Sequence, residues 1–151
     1  RNPQQADYHQ AKVLAEKSVQ TGSKAGEIVL ARVLVNQQAG TPNYPHAITL
    51  LQHAAQDPES DSAVDAQMLL GLIYASGVHL PEDDVKATQY FKESSALSRT
   101  GYAEYWAGML FLQGEKGFIE PNRQKALHWL NVSCQEGFDT GCEEFDRISK
   151  R

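Results

Sequence analysis

The sequence predicts an all-α chain folded as a right-handed α-solenoid, with antiparallel helix pairs stacked side by side. The first sign is a recurring helical segment. Segment 65–77 is echoed by 102–114, and Gly71 and Gly77 reappear 37 positions later as Gly108 and Gly114. The second sign is a half-unit with its own recurrence. Ala11, Ala47, Ala87 and Ala126 are spaced by 36, 40 and 39, and four residues after each stands Ala15, Leu51, Phe91 or Leu130. The third is that strand-type alternation is nowhere sustained, whereas spacings of three and four place residues on one helical face. Repeats at such periods are the mark of stacked supersecondary units.

Each unit reads as helix A, a loop, then helix B. Predicted helices are 5–20, 24–38, 44–56, 62–76, 84–98, 102–113, 122–136 and 139–149. The loops hold the breakers: Gly40, Pro42 and Pro45 in the first, Gly77 and Pro81 in the second, and Gly114, Gly117 and Pro121 in the third. Asn43, Asp83 or Asp84, and Asn122 are the expected N-caps of the B helices. Further along each B helix come small residues: Ser18, Ala54 and Ala55, Ser94 and Ser95, Ser133 and Cys134. Small groups at both ends of a face let a neighbouring helix come close, with a large side chain filling the space between. The whole chain, 1–151, is expected to be one repeat domain. It comprises a half unit at 5–20, units at 24–56, 62–98 and 102–136, and a capping helix at 139–149. That last helix is polar apart from Phe145 and Ile148, as a terminating face should be.

The opening, Arg1-Asn2-Pro3-Gln4-Gln5, carries no initiator Met and enters a helical pattern almost at once. It reads as a processed or trimmed fragment, with a signal peptide and upstream repeats expected before it, because a lone B helix leaves an apolar face bare. The length, 151 residues, suits one domain that folds without a cofactor. With 14 basic and 19 acidic residues, a net of −5 and no basic cluster, nucleic acid and anionic membrane surfaces are poor partners. No apolar run approaches the roughly 18 residues of a membrane span, so membrane insertion is not expected.

The pattern resembles the Sel1-like repeat family, which is related to the tetratricopeptide repeats. Leu70-Gly71-Leu72-Ile73-Tyr74 with Ala87-Thr88-Gln89-Tyr90-Phe91 carries the resemblance best. Ala107-Gly108-Met109-Leu110-Phe111 with Ala126-Leu127-His128-Trp129-Leu130 follows with conservative changes. The first full unit departs more, with Ala31 in place of Gly71 and Leu34 in place of Tyr74. The resemblance covers nearly the whole chain. It implies an α-solenoid with a scaffold or adaptor role, and no substrate.

Cys134 should end one helix and Cys142 begin the next, antiparallel one, which brings their Cβ atoms within disulfide reach. The spacing is similar to that of cysteine-rich bacterial Sel1 proteins. Two buried free thiols and a redox-active pair remain as other readings, although the gap is not that of a C-x-x-C motif. A disulfide implies an oxidising compartment, which for a bacterial protein is the periplasm or the exterior.

In tetratricopeptide-like solenoids the A helices line the concave surface. Carried over by position, that surface collects Ile28, Arg32, Val35 and Asn36, then Met68, Leu72 and Ala75, then Tyr102, Tyr105, Met109 and Leu112. Deformable Met and anchoring Tyr suit a protein or peptide ligand. Apolar residues at helical spacing also serve as core, so the same side chains are candidates for packing against a neighbour. Tyr102, Tyr105 and Arg32 are those expected to be exposed.

H-E-x-x-H, P-loop and G-x-S-x-G patterns are lacking. His46 and His53 are seven apart, too far for paired metal ligands on one helix, and His9, His79 and His128 have no ligand nearby in sequence. No cofactor or metal is expected. Glu82-Asp83-Asp84 and Glu143-Glu144 suit helix N-termini. Asn131-Val132-Ser133 matches a glycosylation sequon inside a predicted helix. No serine is followed three positions later by lysine, which argues against a serine β-lactamase. The expectation is a non-enzymatic periplasmic scaffold that binds a protein or peptide. The alternatives are an immunity or inhibitor protein against an exported toxin or envelope enzyme, and less favoured, a weak β-lactam-binding or hydrolysing enzyme.

Overall fold

In the computed structural model, residues 3–78 and 80–150 are described, with side chains from residue 7 onward. The expectations about Arg1, Asn2 and His79 fall outside the described residues. The helices are α1 (Pro3–Gln20), α2 (Lys24–Val35), α3 (Tyr44–Ala54), α4 (Asp61–Ser76), α5 (Asp84–Leu97), α6 (Tyr102–Gln113), α7 (Arg123–Gln135) and α8 (Asp139–Ser149), with a 3-10 turn at Gln37–Ala39. The chain is all-α, a stack of helix pairs: α2 with α3, α4 with α5, and α6 with α7. The single β-bridge among the described residues joins Glu115 and Ile119 in the third loop.

Caps set the helix starts. Asn43, Asp83 and Asn122 accept the backbone N–H groups of His46, Lys86 and Lys125, so Asp83 is the cap and Asp84 the first helical residue. Ser23 and Ser60 do the same for α2 and α4. Helix α2 stops at Val35, three residues short of the predicted end. The Asn36 side chain accepts the N–H of Gln38, which draws the chain into the 3-10 turn instead.

Packing within a unit explains the repeated small residue of helix A. A Cβ on Gly71 would lie 2.5 Å from the Phe91 ring, and one on Gly108 would lie 2.7 Å from Leu130. The backbone of helix A therefore rests directly on the large residue of helix B. Within each of these units, Ser94 donates to the carbonyl of Val64 at 2.8 Å and Ser133 to that of Gly101 at 2.7 Å. The small B-helix residues thus tie helix B to helix A of the same unit as well as letting the two approach. Phe91 and Trp129 meet edge to face across α5 and α7, 4.8 Å between centroids. Lys125 reaches from α7 to the carbonyls of Ala75 and Ser76 at the end of α4, where a cation complements the helix dipole.

The A helices pack on each other in series, α2 on α4, α4 on α6 and α6 on α8. The backbones of α3, α5 and α7 stay apart, held off by side chains such as Phe91 and Trp129. The stack is therefore tighter along its A helices, which form the inner side of the curve.

Candidate functional site

Only part of that inner side is open. Offsets of 37 and 40 residues put Trp106, Leu69 and Val29 at one register on successive A helices. Trp106 is 41% exposed and Val29 46%, whereas Leu69 between them is 4% exposed. The middle helix is covered at this register, and the third loop folds back across the stack. Phe118 and Ile119 are buried in the same core as Leu69, Leu72, Val35 and Ala75. A clasp fixes that loop across the stack: Asn36 Nδ2 donates to the Lys116 carbonyl at 3.1 Å, and the Gln37 N–H donates to that of Gly117 at 2.8 Å. Gly117 has φ +88°, and a Cβ there would strike the Asn36 side chain.

The expected groove narrows accordingly. Ile28, Val35, Asn36, Leu72 and Ala75 are buried and cannot meet a ligand. The sequence pattern could not foresee that a loop 80 residues away would occupy the space above Asn36. Arg32 is exposed, and Met68, Tyr102, Tyr105, Met109 and Leu112 are half-buried.

The open portion on α6 is an aromatic ledge. Trp106 stands between Tyr102 and Tyr105, with ring centroids 6.0 and 5.4 Å away. Both tyrosines lean on the buried Phe138 at the start of α8, at 5.7 and 5.3 Å. The Arg99 guanidinium lies 5.2 Å from the Phe138 ring centroid. Rings held this way lose little freedom on binding a partner. Trp106 was absent from the groove expected from sequence, although its register equivalence to Val29 and Leu69 is readable there.

Beside the ledge, Cys134 and Cys142 form a disulfide with Cα atoms 4.5 Å apart, joining α7 to α8. The free-thiol readings are thereby corrected: no free cysteine occurs among the described residues. The short α7–α8 connection places the two side chains face to face, and Gly141 makes room by sitting against Ser133. Asn131 and Ser133 of the sequon lie inside α7, and the Ser133 hydroxyl is committed to Gly101. Among the described residues no group of three or more His, Cys, Asp or Glu side chains is placed to hold a metal. None of the described helices is long and apolar enough to cross a membrane.

The Sel1 repeat profile matches residues 64–98 and 101–138. The chain is 70% identical over 148 residues to the Sel1-repeat-containing protein YjcO of Escherichia coli K12, covering 98% of this chain and 65% of that protein. It thus spans about two thirds of the length of that relative. A crystal structure of a Sel1 repeat protein from Klebsiella pneumoniae subsp. pneumoniae superposes with TM-score 0.93 at 82% identity, covering 99% of this chain and 72% of that one. A protective antigen of uropathogenic Escherichia coli with an SLR fold shares the fold at TM-score 0.55 and 23% identity, over 91% of this chain and 28% of its own.

Proposed function

Because the chain belongs to the Sel1 repeat family, we propose that it is a protein-binding module of the bacterial periplasm that holds its partner on the inner face of α6. The observation that carries this reading is the exposed Trp106, braced by Tyr102 and Tyr105 over a buried Phe138. Interface hot spots are rich in Trp, Tyr and Arg, and pre-ordered rings cost little entropy to dock. Met109 and Leu112 extend the ledge along the helix, and Arg32 and Met68 carry it toward α2 and α4. A protein or peptide suits such a surface. The periplasm is supported by the Cys134–Cys142 disulfide, which persists in oxidising compartments. In this reading residues 1–151 act as one repeat domain, and the chemistry of the module is recognition and not catalysis. Leu14, 59% exposed, and Val29 leave an apolar face on α1 and α2 that a further helix would cover.

A photo-crosslinking residue at Trp106 of the full-length protein, produced in cells, tests the surface. It should give a defined adduct that the same residue at Val85, on the outward side of α5, does not give. Tyr102→Ala and Tyr105→Ala should each weaken partner binding by about 1–3 kcal/mol and leave helicity unchanged. Loss of the fold in both variants, or equal adducts from both crosslinking positions, would remove this surface from consideration. An adduct with an envelope enzyme whose activity falls in the complex would instead favour an inhibitor.

A further inference from the structure

One register of helix A carries a polar side chain in every full unit, buried in the first and third and half-buried in the second. The 37- and 40-residue offsets relate Glu104 to Gln67 and to Glu27, each four residues before the small residue that meets helix B. Glu104 is 1% exposed and Glu27 6%. The three slots are completed differently. Glu27 pairs with His53 Nδ1 of α3 at 2.7 Å, an ion pair only while the imidazole is protonated. Gln67 fills its slot with a neutral amide whose Oε1 is buried without a protein partner. Glu104 meets the Ser95 hydroxyl, 3.4 and 3.3 Å from its two oxygens, and Ser95 lines one cavity with Glu136, the residue that caps α7.

A hydroxyl has one proton to give, and Ser95 also accepts the Ala103 N–H at 3.0 Å. Two ionised carboxylates here would set the buried charge of Glu104 against a like charge on Glu136, whereas one added proton turns the contact into a hydrogen bond. From α5, Lys92 lines a 300 Å³ cavity with Ser95, Thr100 and Glu136, which gives Glu136 access to solvent. Glu93 of α5, Asp61 and Asp65 of α4, and Asp139 and Glu143 of α8 are exposed, and Glu144 is bound to Arg147. Arg99 lies over the Phe138 ring.

We propose that Glu104 and Glu136 form a proton-operated latch that holds α6 and α7 against α5: a shared proton closes the junction and its loss loosens it. Burial, then the charge of Glu136, pushes the Glu104 carboxyl up to about 7 from its ordinary 4.5. A carboxyl whose folded value is raised binds its proton more tightly in the folded chain. Its stabilisation is complete in acid below the unfolded value and is lost as pH rises through the folded one. The latch operates whether or not the aromatic ledge has a partner.

The test is urea unfolding of the disulfide-intact chain at about pH 5 and about pH 8, for the parent, Glu104→Gln and Glu136→Gln, with hydrogen exchange at both pH values. The parent should lose stability toward pH 8. Exchange across the start of α6 and the end of α5 should rise on the order of tenfold to a hundredfold beyond the intrinsic pH effect, a rise absent from Glu104→Gln, while α2 and α3 report the separate Glu27–His53 pair alike in both chains. Glu104→Gln should be more stable than the parent at pH 8 and lose less stability across the range, as Gln already occupies this slot at position 67. Glu136→Gln should flatten the profile in part, and it carries the test if Glu104→Gln does not fold. A parent-like slope in the folded variants, or an exchange increase spread evenly over the chain, would overturn the latch.

Discussion

Gly71 shows how one side chain, or its absence, sets the spacing of a whole unit. Phe91 is fully buried, packed edge to face on Trp129, and has no room to retreat from a methyl group on Gly71. Alanine favours a helix over glycine by about 1 kcal/mol, but overpacking against a locked ring costs more, on the order of 1–3 kcal/mol. Gly71→Ala should therefore be destabilising in urea unfolding, and Gly71→Ala with Phe91→Leu should recover part of the loss. The natural comparison lies in the first full unit, where Ala31 stands opposite the smaller Leu51. The Leu-Gly signature was legible in sequence because its partner, four residues past the helix B alanine, recurs at the same offset.

At the scale of elements, local signals placed the helices well and tertiary contacts moved their ends. Helices α6 and α8 span the residues the pattern predicts, because Gly101 and Gly114 bound one and the Cys134–Cys142 hairpin positions the other. Helix α2 ends early because Asn36 serves the third loop as well as its own turn. The disulfide closes a loop between positions eight apart, docking α8 as the terminal helix. Replacing both cysteines by serine should lower stability by roughly 2–3 kcal/mol, the loop-entropy effect of so short a bridge. Hydrogen exchange should place the loss in α8 first, since α8 buries only Gly141 and Ile148 fully. Uniform loss across all helices would show instead that α8 unfolds only with the rest.

For the whole molecule, a solenoid is expected to hold only nearest-neighbour contacts and so to unfold with limited cooperativity. The clasp from Asn36 and Gln37 to Lys116 and Gly117 breaks that rule by linking the first loop to the third past the second. Gly117→Ala would force a side chain into the left-handed backbone region and into Asn36. The urea midpoint should fall by an amount equivalent to about 1–3 kcal/mol. The slope of the transition should also fall, because units on either side of α4 would lose their direct link. A lower midpoint with an unchanged slope would mean that the clasp stabilises without coupling the units.

The sequence by itself determined the helices, the B-helix caps, the pairing of A with B, the recurrence of the A-helix glycines and the reach of the two cysteines. All of these follow from spacings of three and four along a helix or from one offset repeated down the chain. Tertiary structure alone decided which A helices stay open. Phe118 and Ile119 carry no periodic signal, yet they join the core and their loop clasps Asn36, one of five residues that the pattern assigned to a groove and the fold buries. It likewise brought Glu104 to Glu136 and left Trp106 exposed where Leu69 is covered. Periodicity fixes which face of a helix turns inward, whereas what lies opposite that face depends on how distant segments fill the remaining space.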